Sequence, residues 1–402
     1  MRGCSLVRRS VGTTAVVATT ALTVGVGASL GFLYGFLAPE MREYFVIDRA
    51  RAGLLVSVYF GATGVTSILG GILSDRISAR RLIACAIALL ACMIFIATRA
   101  ESYLLLVVIS MIGGACYAPI NTGTNVVLAS VVPLNQRATA SNAKTMGVPI
   151  LVSFGAFFAP VIGQTFSWRV PLFASGIVAV VVFVIVLVVI PDVSSPHRIG
   201  VSERPPPGFW RMPVAAFFLL IGSQPVYSWS ISYLVEELDV GKLQAGSVVG
   251  VASLIGAASM VALGRVSDRL GLSSRRTFLI LLTAALCFSQ GSVASASRIP
   301  TVLCLLAITV AVVSQLAAIG TMHALIIDLC PGSTGRGSGL TMTGYYFGAL
   351  AAPVSFGFIA DQIGYSYAWS YCATCAALSS LFFWSVKWIP KPKDTGALSY
   401  FR

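Results

Sequence analysis

The chain has 402 residues, of which 57% are hydrophobic and only 10% are charged, whereas about a quarter of the residues in a soluble globular domain are charged. This composition excludes an ordinary soluble protein and indicates an integral membrane protein. The excess of basic residues gives a formal net charge of +13, which we attribute to membrane topology rather than to a nucleic-acid partner. We expect no cofactor and no metal, because most of the nine cysteines lie in apolar runs, where free cysteine packs as a small hydrophobe.

Apolar runs separated by charged, glycine or proline residues predict twelve spanning helices and an all-α fold. A spanning helix needs about 20 apolar residues, and runs of that length recur along the whole sequence. The helices are predicted at about 15–37, 53–74, 82–98, 103–127, 143–165, 171–190, 213–235, 243–264, 277–296, 301–325, 338–360 and 368–389. The first run follows three arginines, but its apolar core is too long for a signal peptide, so we expect a permanent span.

Lysine and arginine are unevenly divided between alternate connections of these helices. If the N-terminus is cytoplasmic, 20 of the 27 Lys and Arg residues fall in cytoplasmic segments and 7 fall on the other side. Basic loops stay in the cytoplasm. We therefore expect a multi-pass protein of the plasma (cytoplasmic) membrane, monomeric and surrounded by lipid, with both termini cytoplasmic.

The sequence repeats itself at a constant offset of 193 residues. The matching pairs are Tyr34/Tyr227, Glu43/Glu236, Ala52-Gly53/Ala245-Gly246, Gly71/Gly264 and Ser74-Asp75-Arg76/Ser267-Asp268-Arg269. Between the repeats lies a polar segment that contains three consecutive prolines. We predict an N-terminal six-helix half (1–190), a cytoplasmic linker (191–212) and a C-terminal six-helix half (213–402). Many secondary transporters are built from two such parallel halves.

The loop after the second predicted helix carries a motif. Residues 71–81 read GILSDRISARR, which resembles the signature loop of the major facilitator superfamily, G-x-x-x-D-[RK]-x-G-x-[RK]-[RK]. The matching residues are Gly71, Asp75, Arg76, Arg80 and Arg81, and in the second half Gly264, Asp268 and Arg269. Ser78 stands where the family has glycine. The resemblance implies twelve transmembrane helices in two pseudo-symmetric six-helix bundles, and a secondary active transporter that works by alternating access.

The resemblance also implies a gating role for the motif, because in the family this loop faces the start of the eleventh helix. A carboxylate such as Asp75 is stabilised by a helix N-terminus, by about 0.3–1 kcal/mol when exposed. The contact forms only when the cytoplasmic side is closed, so it would act as a latch. The alternative is that Asp75 only balances the neighbouring arginines.

Polar side chains in the middle of predicted helices are candidates for a solute site, because unsatisfied polar groups are costly in lipid. The candidates are Tyr117, Asn121 and Asn125 at i, i+4 and i+8 on the fourth helix, Gln224 and Tyr227 on the seventh, and Gln315 on the tenth. The resemblance implies that helices one, four, seven and ten line the central cavity. The alternative is that these side chains only bond neighbouring helices together.

Two further candidates carry charge. Lys144, in a stretch that looks loosely like the cyanate-type permease branch of the superfamily, would favour an anion if it faced the cavity. Alternatively, it snorkels to the cytoplasm. His323, near the inner end of the tenth helix, could couple a proton or lie at the membrane interface. His323 and Asp328 are about 140° apart on a helix, so a catalytic dyad would need the helix to end between them.

These observations predict a permease that moves a small solute, with an organic or inorganic anion as the favoured class and a proton as the candidate coupling ion. One alternative is a drug or metabolite efflux pump, although helices one and four contain no mid-membrane Asp, Glu or Arg. The alternative of another class is a membrane-embedded acyltransferase-like enzyme built around His323. We expect no enzyme, because the sequence has no P-loop, no HExxH and no Gly-x-Ser-x-Gly string.

Overall fold

The computed structural model describes residues 12–133, 137–193, 205–270, 272–296, 299–330 and 334–386. Within these ranges it does not describe the side chains at 68–72, 74–76, 137–139, 142, 264, 267–270, 272–273, 327 and 334–336. The described chain is helical and contains no strand. Its helices are α1 (Thr13–Phe36), α2 (Ala38–Phe45), α3 (Arg49–Arg76), α4 (Ala79–Ala97), α5 (Tyr103–Val131), α6 (Arg137–Thr145), α7 (Gly147–Thr165), α8 (Arg169–Val189), α9 (Arg211–Glu236), α10 (Lys242–Leu270), α11 (Leu272–Ala294), α12 (Thr301–Leu329), α13 (Thr334–Ile363) and α14 (Tyr365–Ser385).

All of these helices except α2 and α6 are long enough to cross a bilayer. The shortest of them, α4 and α7, have 19 residues, which at 1.5 Å per residue span about the 30 Å of a hydrocarbon layer. Each long helix overlaps one of the twelve predicted spans. Nine spans in the described chain meet a combined criterion of length and apolar composition. The short helices α2 and α6 were not predicted, because helices of eight and nine residues are too short to contain an apolar run of spanning length.

The helices pack as two six-helix bundles. In the first, α1 packs against α5, α7 and α8, α3 packs against α5, and α4 packs against α5 and α8. In the second, α9 packs against α13 and α14, α11 packs against α12 and α14, and α10 packs against α12. The bundles meet where α3 contacts α13, where α7 contacts α10 and where α1 contacts α9.

Equivalent positions of the repeat have matching local geometry. Val46 and Asp239, which are 193 residues apart, are the two described non-glycine residues with positive φ, at 52° and 51°. Gly53 and Gly246, also 193 apart, each lie against a backbone carbonyl of the other bundle, that of Pro353 and that of Ala156. The expected fold of two pseudo-symmetric bundles is confirmed. Residues 194–204 of the predicted linker lie outside the described chain.

Candidate functional site

A polar face of α5 forms one wall of the candidate site. Near the middle of α5 this face packs tightly on α3, where Thr63 Oγ1 donates a hydrogen bond to the Gly114 carbonyl at 2.9 Å. Tyr117 is 8% exposed, Asn121 is half-buried and Asn125 is exposed. The predicted face therefore runs from a packed region into open space between the helices.

Lys144 closes this wall from α6. It is 4% exposed, and its Nζ donates to Asn121 Oδ1 at 2.8 Å and to Asn125 Oδ1 at 2.6 Å. No described carboxylate lies within ion-pair distance of it. The predicted fifth span, 143–165, included Lys144. In the structure a turn at Met146 separates α6, which carries Lys144, from α7. The described hydrogen bonds of Lys144 therefore run to α5, and its membership in a solute site stays a prediction.

The two amides are oriented by this contact. An ammonium group has three donors and no acceptor, so both asparagines must turn their oxygens toward Lys144. The Asn121 NH₂ group then faces the Tyr346 hydroxyl, whereas the Asn125 NH₂ group and the third ammonium N–H have no hydrogen-bond partner among the described residues. The cluster therefore combines the Lys144 amine with an unused amide donor of Asn125.

Two adjacent tyrosines of α13, which the sequence reasoning missed, complete the cluster from the other bundle. The rings of Tyr345 and Tyr346 meet edge to face with centroids 5.3 Å apart. The Tyr346 hydroxyl lies beside the side chains of Asn121 and Ser67, and both tyrosines lie near Tyr117. The signal that could have found them is a pair of polar aromatics in the interior of a predicted span.

Tyr227 of α9 joins the same region. Its ring packs edge to face on Phe32 of α1, with centroids 5.3 Å apart, and Ser253 Oγ donates to its hydroxyl at 3.4 Å. Tyr345 lies within electrostatic range of it. Tyr227 therefore borders the aromatic side of the cluster, as an aromatic rather than an ionic group.

The remaining predicted polar residues are buried but are not joined to Lys144. Gln224 is 3% exposed and Gln315 is 2% exposed. The Gln224 Nε2 and Gln315 Oε1 atoms have no hydrogen-bond partner within the described chain. No hydrogen bond between described residues links either glutamine to Lys144. Their membership in a solute site stays a prediction.

His323 lies on α12, near the end of the bundle where Asn125 is exposed. Its side chain is exposed, and its Nδ1 is 2.8 Å from the Ile319 carbonyl. The helix continues through Asp328 to Leu329, and Asp328 forms an ion pair with Arg275. The geometry therefore rules out a His323/Asp328 dyad.

The signature loop is described only in part. Arg80 Nη2 lies 3.6 Å from Asp192 Oδ2, and Arg81 is exposed. Ser78 has φ −59°, a region open to any residue, so the turn does not require the family's glycine. The side chains of Asp75, Arg76, Asp268 and Arg269, and the packing around Gly71 and Gly264, lie outside the described residues.

At the end of the molecule away from this loop, ion pairs tie the two bundles together. We call this the ion-paired end. Glu236 of α9 accepts from Arg42 at 2.6 Å and from Arg49 at 2.7 Å, and Arg49 also reaches Asp361 of α13 at 3.1 Å. Lys242 of α10 pairs with Glu40 of α2. These four contacts join opposite bundles and close this end.

Nothing described suggests a bound metal. No group of three His, Cys, Asp or Glu side chains comes together in the part of the chain that the structure describes. The eight described cysteines are free, and the pair Cys372 and Cys375 is buried in α14.

Comparison with known proteins gives consistent results. The family model described as "Major Facilitator Superfamily" matches residues 19–353. Two sequence relatives are described as uncharacterized MFS-type transporters, of Mycobacterium tuberculosis strains CDC 1551/Oshkosh and ATCC 25618/H37Rv. Each is 27% identical, over 364 and 363 residues respectively, and in both cases the match covers 87% of this chain and 81% of the relative.

The fold matches that of a solved transporter. The crystal structure of a D-xylose-proton symporter superposes with a TM-score of 0.74, covering 92% of this chain and 97% of the symporter. The two sequences are 13% identical, so the match concerns the fold alone.

Proposed function

The chain belongs to the Major Facilitator Superfamily, and from that membership we propose that it carries a small monoanion bound at Lys144. The family makes it a multi-pass secondary transporter of a small solute and not an enzyme. What the proposal adds is the charge of the solute, the residues that hold it and the orientation in the membrane.

The single observation that carries the proposal is that the buried Lys144 amine has no described carboxylate partner. Its described partners are two neutral amide oxygens, which solvate the ammonium but leave its net charge in place. Burying an unpaired charge is costly, and a protein keeps one when a ligand supplies the counter-charge. A bound anion would take the third ammonium donor and the NH₂ group of Asn125.

The surroundings favour an anion over a cation. The other described groups of the cluster are the hydroxyl groups of Tyr117, Tyr345 and Tyr346, and none of these is a carboxylate. A cation leaving water for this site would meet an ammonium and no counter-charge. The alternative of a cation-exporting drug pump therefore has no supporting feature here.

The accessibility of the cluster supports an alternating-access cycle. The ion-paired end is closed by cross-bundle contacts, whereas Asn125 and His323 near the opposite end are exposed. We identify that opposite end with the cytoplasmic side, because the basic loops fall there. With this orientation the site is open to the cytoplasm. The signature loop would stabilise the other state of the cycle, in which the cytoplasmic side is closed.

Transport by purified protein in proteoliposomes tests the proposal. The probes are four labelled monoanions (nitrate, formate, lactate and pyruvate), with ethidium as the cation and D-xylose as the neutral solute. We expect uptake of at least one anion and no uptake of ethidium. Lys144→Ala should raise the half-saturation concentration about tenfold or more, because a charge-assisted hydrogen bond contributes about 1.5–3 kcal/mol. Lys144→Arg should retain more activity.

Arg51→Ala serves as the matched control, because it removes an exposed cation at the ion-paired end. It should leave anion uptake near the parent value. Equal transport by the parent, Lys144→Ala and Lys144→Arg proteins would remove Lys144 from the site. A preference for ethidium would instead support the efflux-pump alternative.

A further inference from the structure

The outer surfaces of α4 and α8, which pack against each other in the first bundle, each carry an apolar stripe that ends in an arginine. The α4 stripe consists of the exposed side chains Cys85, Leu89, Cys92 and Ile96, and it is followed by the exposed Arg99. The α8 stripe begins after Arg169 and consists of the exposed side chains Phe173, Ile177, Val181, Val184 and Val188. Residues three or four apart lie on one face of a helix. Each arginine therefore lies at the end of a surface that faces lipid.

The two arginines come together in a cleft at the ion-paired end. The cleft has a volume of about 560 Å³ and is lined by Tyr44 of α2, by Thr98, Arg99 and Glu101 between α4 and α5, and by Arg169, Val170 and Phe173 of α8. The rings of Phe95 and Phe173 meet edge to face with centroids 5.5 Å apart, so α4 and α8 are in contact beside the cleft. Because Phe173 belongs both to the cleft and to the α8 stripe, the polar cleft is continuous with the apolar surface.

Arg169 is fixed in place before any ligand binds. Its guanidinium carbon lies 4.6 Å from the centroid of the Tyr44 ring and 4.8 Å from that of the Trp168 ring. Its Nη2 donates to the Tyr44 hydroxyl at 2.8 Å and to the Ala100 carbonyl at 3.3 Å. The N–H donors on Nε and Nη1 bond no described residue. A positioned guanidinium loses less conformational entropy when it binds a ligand.

The charges of the cleft match a phosphate group. No carboxylate among the described residues lies within ion-pair distance of Arg99 or Arg169. A guanidinium binds a phosphate through two parallel N–H donors. With Glu101 the three side chains carry one net positive charge, so a phosphodiester monoanion would neutralise the cleft. Hydroxyl groups on the same ligand could donate to the Glu101 carboxylate.

The surroundings point to a lipid as the source of that phosphate. Tyr44 and Trp168 beside the cleft are residue types enriched where a membrane protein meets the lipid headgroups, and the stripes run from the cleft along the apolar faces of α4 and α8. A free phosphate would leave these faces uncovered. A zwitterionic headgroup would leave the net charge of the cleft in place.

We propose that the cleft of Arg99 and Arg169 binds the headgroup of an anionic phospholipid of the phosphatidylglycerol type, with an acyl chain lying along the α4 and α8 stripes. The phosphate takes the donors of both arginines, and the glycerol hydroxyls face Glu101. This lipid site lies on the outside of the first bundle, so it does not depend on which solute the transporter carries.

Native mass spectrometry of the purified protein tests the proposal, with phosphatidylglycerol, phosphatidylethanolamine and inorganic phosphate as probes. The parent should retain one phosphatidylglycerol about threefold or more tightly than phosphatidylethanolamine, because only the former neutralises the cleft. Excess inorganic phosphate should not displace it. Arg99→Ala should weaken retention about tenfold, because charge-assisted hydrogen bonds are lost. Arg169→Lys, which keeps the charge but not the two parallel donors, should weaken it less.

Arg51→Ala is the matched control, because it removes an exposed arginine at the same end but outside the cleft. It should retain the lipid like the parent. A phosphatidylglycerol with a photoreactive acyl chain should crosslink to α4 or α8 in the parent and not in Arg99→Ala.

Several results would overturn the proposal. They are equal retention of both lipids by the parent, retention by Arg99→Ala at the parent level, displacement by inorganic phosphate, or crosslinks on other helices only. A dimer of the parent that dissociates in Arg99→Ala would instead assign this face to a second copy of the chain.

Discussion

At the scale of single residues, the partners of Lys144 decide how the site is interpreted. Asn121 and Asn125 share a face of α5 by their spacing alone, and the sequence predicted that face. The same spacing gives no information about Lys144, which follows Asn125 by 19 residues and lies on another helix. Only the packing of α6 against α5 shows that its ammonium meets both amide oxygens.

Replacing one of those amides by a carboxylate should weaken anion transport without destabilising the protein. Asn121→Asp is nearly isosteric and would supply Lys144, 2.8 Å away, with an internal counter-ion. We expect anion transport to fall at least tenfold, because bound solute would compete with a permanent carboxylate, while the melting temperature does not fall. Thermal unfolding in detergent and proteoliposome uptake measure the two effects.

Asn121→Ser is the matched control, because it shortens the side chain without adding charge. It should lose less transport than Asn121→Asp. If Asn121→Asp transports anions like the parent, the charge of Lys144 is not what binds the solute.

At the scale of helices, the contacts between the bundles depend on glycine. Gly53 of α3 and Gly246 of α10 lie against carbonyl groups of α13 and α7, and a Cβ at either position would collide with that backbone. A backbone carbonyl in a helix cannot move aside as a flexible side chain can. These positions therefore allow the helices to approach closely where the ion-paired end closes.

Gly246→Ala should raise the free energy of the state in which the ion-paired end is closed. Overpacking costs about 1–3 kcal/mol, so the population should shift away from the closed ion-paired end by about fivefold or more. Pulsed electron paramagnetic resonance can follow this shift as a longer distance between spin labels at Glu43 and Leu243, both of which are exposed. Transport should fall in parallel.

Gly291→Ala in α11 is the control, because a Cβ there has no described atom within 4 Å. It should leave the distance distribution unchanged. An unchanged distribution in Gly246→Ala as well would mean that this contact does not govern closure.

At the scale of the whole molecule, one end is closed by ion pairs and the other contains the signature loops. Exposed ion pairs contribute only about 0–1 kcal/mol each, but here several share Glu236 and Arg49 and all cross between bundles. Such a set can stabilise one state of an alternating-access cycle without locking it. Which end faces the cytoplasm follows from the loop charges rather than from the packing.

Topology reporters test that assignment. Alkaline phosphatase fused after Met212 or after Arg402 should be inactive, because both sites are predicted to be cytoplasmic, and a fusion after Asp239 in the connection between α9 and α10 should be active. The opposite pattern would invert the orientation and place the ion-paired end in the cytoplasm. A green fluorescent protein at the same sites should give the complementary signal.

The sequence by itself determined the number of long helices, their approximate positions in the chain, the repeat of 193 residues and the family. These features are local or periodic, because a spanning helix satisfies its backbone hydrogen bonds within one segment and the bilayer fixes its length. Only the tertiary structure decided that Lys144 bonds two amides, that Tyr345 and Tyr346 join them from the other bundle, and that Glu236 and Arg49 close one end. The physical reason is that each of these contacts joins side chains on different helices, whose rotation and depth depend on packing rather than on hydropathy.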